Sequence, residues 1–153
     1  MLVEKDYEDL LRLFNKHKVK YCIVGAFAVA FHGRPRYTKD IDILVEPTTE
    51  NGKKIIEAIN EFGFGSLKLT QDDFVKPGQI IQLGFEPVRI DIVTSISGCP
   101  FEKVWKNKRT GTYGRERVFF LGLEELITNK KKAGREIDAV DLQILRDVKR
   151  KKK

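Results

Sequence analysis

Residues 38–45, Thr-Lys-Asp-Ile-Asp-Ile-Leu-Val, constrain this chain more than any other stretch. Ile41, Ile43, Leu44 and Val45 are strand formers, whereas Asp is depleted in strands. Side chains at i and i+2 of a strand share a face. Asp40 and Asp42 therefore stand side by side, with Cα atoms about 6.5–7 Å apart, while Ile41 and Ile43 turn to the core. Two carboxylates so placed repel one another unless a cation comes between them. Read alone, the pair fits either the polar face of a half-exposed strand or an oxygen-only site for Mg²⁺.

A second strand repeats the pattern. In Val88-Arg89-Ile90-Asp91-Ile92-Val93 the apolar residues alternate, so Asp91 leaves the core on the polar face. If the two strands are neighbours, about 4.8 Å apart, three carboxylates converge on one patch. Two metal ions about 3.5–4 Å apart could bind there and serve phosphoryl transfer. Upstream, Tyr21-Cys22-Ile23-Val24 reads as a strand that Gly25 ends, and Ala26 to Phe31 starts a buried helix. A helix N-terminus offers free N–H groups and a positive dipole end to phosphate. Arg34, Arg36 and Lys39 lie in the loop before the acids, as cations for a triphosphate or as ordinary surface charges.

The rest of the chain frames these strands. Tyr7, Leu10, Leu11 and Phe14 have helical spacing over residues 4–17. Thr48 or Thr49 caps a helix that runs to about Phe62. Residues 66–74 are ambiguous and compatible with a short strand. Strands are expected at Ile80–Gly84, Val88–Val93 and Arg117–Leu121. Helices are expected at Phe101–Trp105, Leu123–Lys132 and Ile137–Lys149, the last two parted by Gly134. Elements alternate early and strands run together later, so the class is α/β or α+β, a mixed sheet flanked by helices. With 153 residues, one domain over residues 1–148 is expected, followed by a basic tail at 149–153.

Composition adds exclusions. The longest apolar run, Tyr21 to Phe31, is too short to span a bilayer. The opening MLVEKDYEDL has no basic stretch backed by an apolar one, so no secretory signal is read and the cytoplasm is the expected location. Cys22 and Cys99 match no zinc or redox spacing and read as reduced thiols. The net charge of +7 points to an anionic partner, but KRKKK at the end supplies five of those charges. Such a tail is commonly a solvated end. An RNA-binding role led by that tail would be strongly salt-dependent, and no aromatic-rich strand accompanies it.

Gly25-Ala26, then thirteen residues, then Asp40-Ile41-Asp42-Ile43, with Asp91 on a later strand, resembles the nucleotidyltransferase superfamily that includes DNA polymerase beta. VGAFAVAFHGRPRYTKDIDILV, IIQLGFEPVRIDIVTSISG and NKKKAGREIDAVDL resemble a subset of small prokaryotic nucleotidyltransferase-like proteins, related to the abortive-infection toxin nucleotidyltransferases. The resemblance covers most of the chain. It implies a nucleotidyltransferase-type mixed β-sheet with C-terminal helices, and Asp40, Asp42 and Asp91 as ligands of two Mg²⁺ ions, with Mn²⁺ as a substitute. Asp91 would also activate the attacking hydroxyl. The turn at Gly25-Ala26, with Arg36, would hold the NTP. Lys130 and one of Asp138 and Asp141 would approach the nucleotide from the C-terminal helices. The alternative for that last group is a solvated Lys130, with the two acids capping or pairing along the final helix near Arg135. The superfamily commonly has Gly-Ser or Gly-Gly where this chain has Gly25-Ala26, so a phosphate-binding hydroxyl is missing there. His32 matches the subset's His-Gly pattern and reads as a helix-end residue.

The expectation is therefore Mg²⁺-dependent transfer of a nucleoside monophosphate from an NTP, such as ATP, to an RNA, protein or small-molecule acceptor. The contrasting reading is a non-catalytic nucleotide- or RNA-binding member, or one half of a toxin–antitoxin pair with a small protein partner.

Overall fold

The computed structural model describes residues 3–33, 40–63, 68–85 and 88–151. Its elements are α1 (Lys5–Lys16), β1 (Tyr21–Val24), α2 (Gly25–His32), β2 (Asp40–Val45), α3 (Thr49–Phe62), β3 (Ile80–Phe85), β4 (Val88–Val93), α4 (Phe101–Asn107), β5 (Arg109–Tyr113), β6 (Glu116–Phe120), α5 (Leu123–Ala133) and α6 (Glu136–Lys151). The strands form one six-stranded sheet in the order β3-β4-β2-β1-β6-β5. β2 runs parallel to β4 and antiparallel to β1, which in turn runs parallel to β6. The sheet is mixed and carries helices, as the alternating pattern predicts.

Strand periodicity assigns the two faces. Ile41, Ile43 and Val45 of β2 join Ile90 and Ile92 of β4 and Ile23 of β1 in one buried cluster. Tyr7, Leu10, Leu11, Leu13 and Phe14 of α1, with Ile55 and Ile59 of α3, cover that face. Burying a side chain of this size removes enough apolar area to stabilise by about 1.5–3 kcal/mol. Leu44 belongs to the opposite cluster with Cys22, Val24, Ala28 and Val29, Leu126 of α5 and Leu145 of α6. Asp40 and Asp42 share the parity of Leu44, so they stand on this second face. β1 ends at Val24, opposite Asp42, and Asp40 extends past it. The acids thus lie where apolar packing of the second face stops.

Two polar features hold the β1–β2 pair in register. Thr48 caps α3 by accepting from the Asn51 N–H at 3.2 Å. The buried Asn51 amide accepts from the Lys20 N–H (2.8 Å) and donates to the carbonyls of Lys20 (3.1 Å) and Glu46 (3.0 Å). A one-residue slip would turn every side chain of β2 to the wrong face. Asn51 therefore helps to decide which face the acids occupy.

The fold departs from the sequence expectations in three places. β5 (Arg109–Tyr113) has no counterpart among the expected strands. Residues 71–74 form a 3₁₀ turn instead of a strand, because Thr70 and Asp73 make a capping box with the Thr70 N–H donating to Asp73 Oδ2 at 2.7 Å. Helix α6 continues through Lys149 and Arg150 to Lys151, and Lys149 Nζ lies 3.0 Å from Glu124 Oε1 of α5. Cys22 and Cys99 are free and buried. Among the described residues no helix is long and apolar enough to cross a membrane.

Candidate active site

The parallel pairing of β2 with β4 sets the site. Its register puts Asp42 opposite Asp91 and Asp40 opposite Arg89. These four side chains share one face, while Ile41, Ile43, Ile90 and Ile92 fill the other. Asp91 is 9 % exposed, and its Oδ1 is buried without a hydrogen-bond partner among the described residues. Burial pushes the Asp42 carboxyl up to about 6, and the charges of Asp91 and Asp40 push the same way against Lys130 and Arg89. Asp91 is also raised, first by burial and then by Asp40, although Arg89 draws it down. A divalent cation is the group that would relieve this crowding of negative charge.

Arg89 was not among the residues singled out from the sequence. Its Nη2 lies 2.7 Å from Asp40 Oδ2 and 3.3 Å from Asp91 Oδ2, so one guanidinium bridges two of the three acids. Gln82 faces Asp91 from the edge strand β3. With its amide oxygen turned inward, Gln82 accepts from Arg89 Nε at 2.8 Å and Nη1 at 3.2 Å. The available signal was parity alone: Arg89 precedes Asp91 by two residues and so shares its face. Among the described residues no group of three His, Cys, Asp or Glu side chains is arranged to hold a metal ion. The three acids share a face, but Arg89 engages Asp40 and one oxygen of Asp91.

The turn at Gly25 borders the acids. Val24 is the extended N-cap of α2, and Gly25 has φ +66°. A Cβ built on Gly25 would collide with the Asp42 carboxylate. The start of α2 and Asp42 are therefore in contact, which an added side chain would break. Gly25→Ala is expected to lower the melting temperature by about 2–8 °C. That range is the backbone part alone, about 1–2 kcal/mol for a left-handed Ala at about 2–4 °C per kcal/mol in a domain of this size, and the collision with Asp42 adds to it. In an Asp42→Ala background the steric part disappears and the loss shrinks, which thermal melts of the four proteins would show. Equal losses in both backgrounds would contradict the contact.

No family model and no curated protein matches the chain. Solved structures do. A Thermotoga maritima protein assigned as a nucleotidyltransferase superposes with a TM-score of 0.58 at 21 % identity, over 93 % of both chains. The lincosamide antibiotic adenylyltransferase LnuA, in its lincomycin-bound form, superposes with a TM-score of 0.58 at 16 % identity, over 96 % of this chain and 98 % of LnuA. ANT(2'')-Ia in complex with adenylyl-2''-tobramycin gives a TM-score of 0.58 at 11 % identity, over 91 % of this chain and 84 % of that one. The chain has a nucleotidyltransferase fold.

In this nucleotidyltransferase fold the C-terminal helices carry a buried ion cluster. Lys130 Nζ of α5 lies 3.1 Å from Asp138 Oδ1 and 3.2 Å from Asp141 Oδ2 of α6, and all three residues are buried. Arg135 adds a bond from Nε to Asp138 Oδ2 at 2.8 Å. Burial alone would raise the Asp138 carboxyl, but bonds from Arg135 and Lys130 outweigh it and hold the group down to about 2. Lys130 is thus buried and paired with both acids, not solvated, and Asp138 is engaged with it. The cluster joins α5 to α6, and the Lys130 charge reaches Asp42. Ala26 is the second residue of α2. His32 Nε2 sits 2.7 Å from the Leu121 carbonyl, which ties the end of α2 to the start of α5. Arg34, Arg36 and Lys39 lie outside the described residues.

Asp42 and the buried Oδ1 atoms of Asp40 and Asp91 are the oxygens that would fit a metal. All are hard oxygen donors, as Mg²⁺ or Mn²⁺ requires. A buried carboxylate oxygen without a partner is costly, and a cation there would satisfy it.

Proposed function

We propose that this chain transfers a nucleoside monophosphate from an NTP to the hydroxyl of a small-molecule acceptor, with a divalent cation held at Asp42 and Asp91. The observation that carries the reading is the register of Asp42 on Asp91, on adjacent parallel strands, beside the Gly25 turn. Carboxylates crowded at the N-terminus of a helix suit phosphate chemistry that needs a cation on one side and N–H donors on the other.

Each residue has a role in that chemistry. The backbone N–H groups at the start of α2 bind phosphate oxygens, and Ala26 leaves that job to the backbone alone. Asp42 and Asp91 hold the cation, which when bound neutralises charge on the phosphate oxygens. The acceptor oxygen forms its bond to the α-phosphorus as the bond to pyrophosphate breaks. Asp91 takes the acceptor proton on Oδ2, the oxygen that does not hold the cation and that Arg89 contacts only at 3.3 Å.

Size supports a small acceptor. The chain matches 98 % of LnuA, whose structure holds lincomycin. A fold of this length can therefore hold a small antibiotic without an added acceptor domain. The decisive test is incubation with α-labelled NTPs, Mg²⁺ and a panel of lincosamides, aminoglycosides, RNA and protein. Label is expected on a small-molecule hydroxyl and is expected to disappear in Asp42→Asn. Label on RNA or protein alone would overturn the acceptor class. NTP binding with no label on any acceptor would favour a non-catalytic nucleotide-binding protein.

A further inference from the structure

We propose that Arg89 stands in for a second metal ion, so that the site takes a single divalent cation between Asp42 and Asp91. This rests on the reading of the acids as a metal site. Three observations support it. Arg89 is opposite Asp40 in the ladder, on the same face as all three acids. Its Nη2 reaches Asp40 Oδ2 and Asp91 Oδ2 together, so the fixed cation already sits between two of the acids. What Nη2 leaves is Asp42, the Oδ1 of Asp40 and the buried Oδ1 of Asp91, the last without a hydrogen-bond partner among the described residues.

Arg89 is anchored for this role. From the opposite side of β4, the Tyr7 hydroxyl of α1 donates to the Arg89 carbonyl at 3.0 Å. With its amide oxygen turned inward, Gln82 accepts from Arg89 Nε and Nη1. The residue is held at its backbone and at its head group, and a planar fork so held loses little entropy on bridging two carboxylates. Charge leads to the same count. Among the described residues, three carboxylates and one guanidinium on this face leave two negative charges, which one divalent ion neutralises. A second ion would have to displace Arg89 from charge-assisted bonds, which are about twice as strong as neutral ones.

Mn²⁺ titration followed by electron paramagnetic resonance tests this without any turnover. The wild-type chain is expected to bind one Mn²⁺. Arg89→Gln is expected to bind two, or to bind the first at least tenfold more tightly. In wild-type protein the Arg89 Nε–H resonance, assigned by through-bond correlation along the Arg89 side chain, is expected to hold its bonded position through a Mg²⁺ titration. That measurement does not depend on the variant folding. Two ions on the wild-type chain, an Arg89→Gln isotherm that overlays the wild-type one, or release of the Nε–H signal on Mg²⁺ addition would each overturn the role of Arg89. Those results leave the metal reading standing if Asp42→Asn abolishes binding. No Mn²⁺ on either protein would overturn both.

Discussion

Asp42→Asn is expected to cut nucleotidyl transfer by roughly 10²–10⁴-fold, the range for losing a preorganised charged group, and to raise the melting temperature of the metal-free protein. The two effects have one cause. Asp42 sits opposite Asp91 and next but one to Asp40, in a position where burial and both neighbours disfavour its charge. At neutral pH the folded chain must hold that charge without a cation. Asn keeps the shape and removes the repulsion. A gain of about 1–2 kcal/mol is expected, less than the roughly 3 kcal/mol that about two pKa units represent because the Asn amide is desolvated too, which is about 2–8 °C in a domain of this size. Calorimetry without and with Mg²⁺ separates the roles. Mg²⁺ should stabilise the wild-type chain and leave Asp42→Asn unchanged. If the variant instead loses stability and keeps transfer, Asp42 belongs to the scaffold and the site lies elsewhere.

The feature that sets up this prediction was legible in the sequence because strand parity is strict. Asp40, Asp42 and Asp91 each alternate with Ile, and a period of two assigns all three to the face that Ile leaves. Gly25 was legible for a similar reason, as the residue that lets a strand turn directly into a helix. The rest depended on partners far away in the chain. β5, Arg109-Thr110-Gly111-Thr112-Tyr113, is an edge strand with mostly exposed side chains. It has no apolar alternation to read, and pairing with β6 defines it. Arg89 had the right parity, but its engagement with Asp40 follows from the parallel register of two strands separated by more than forty residues. Spacing within one strand carries no information about that register. The Lys130 cluster forms because Gly134, at φ +63°, folds α5 back on α6. Sequence separation alone cannot distinguish that contact from a solvated lysine.

Lys130→Met is expected to destabilise the chain by about 3–5 kcal/mol, the cost of removing one partner from a buried ion pair. That is a large share of the roughly 5–15 kcal/mol typical of a domain. Met keeps the length and volume of Lys but leaves Asp138 and Asp141 buried at 0 % exposure without the Nζ that they share. The pH dependence has a definite sign. Asp138 is depressed to about 2 from 3.8, so its contribution is present above pH 3.8 and is lost as pH falls through about 2. Urea midpoints of wild type and variant should differ most near pH 7 and converge as pH falls from 3.8 toward about 2, where a protonated Asp138 no longer needs the lysine. Removing the whole charge set, in Lys130→Met with Asp138→Asn and Asp141→Asn, should recover most of the loss, because a complete buried cluster can be replaced at little cost. That triple variant also decides what the cluster is for. Wild-type NTP affinity in a stable triple variant would assign Lys130 and Asp138 to the joint between α5 and α6. A stable fold with NTP affinity lost would put them at the nucleotide, with the ion cluster as the state that an incoming phosphate rearranges.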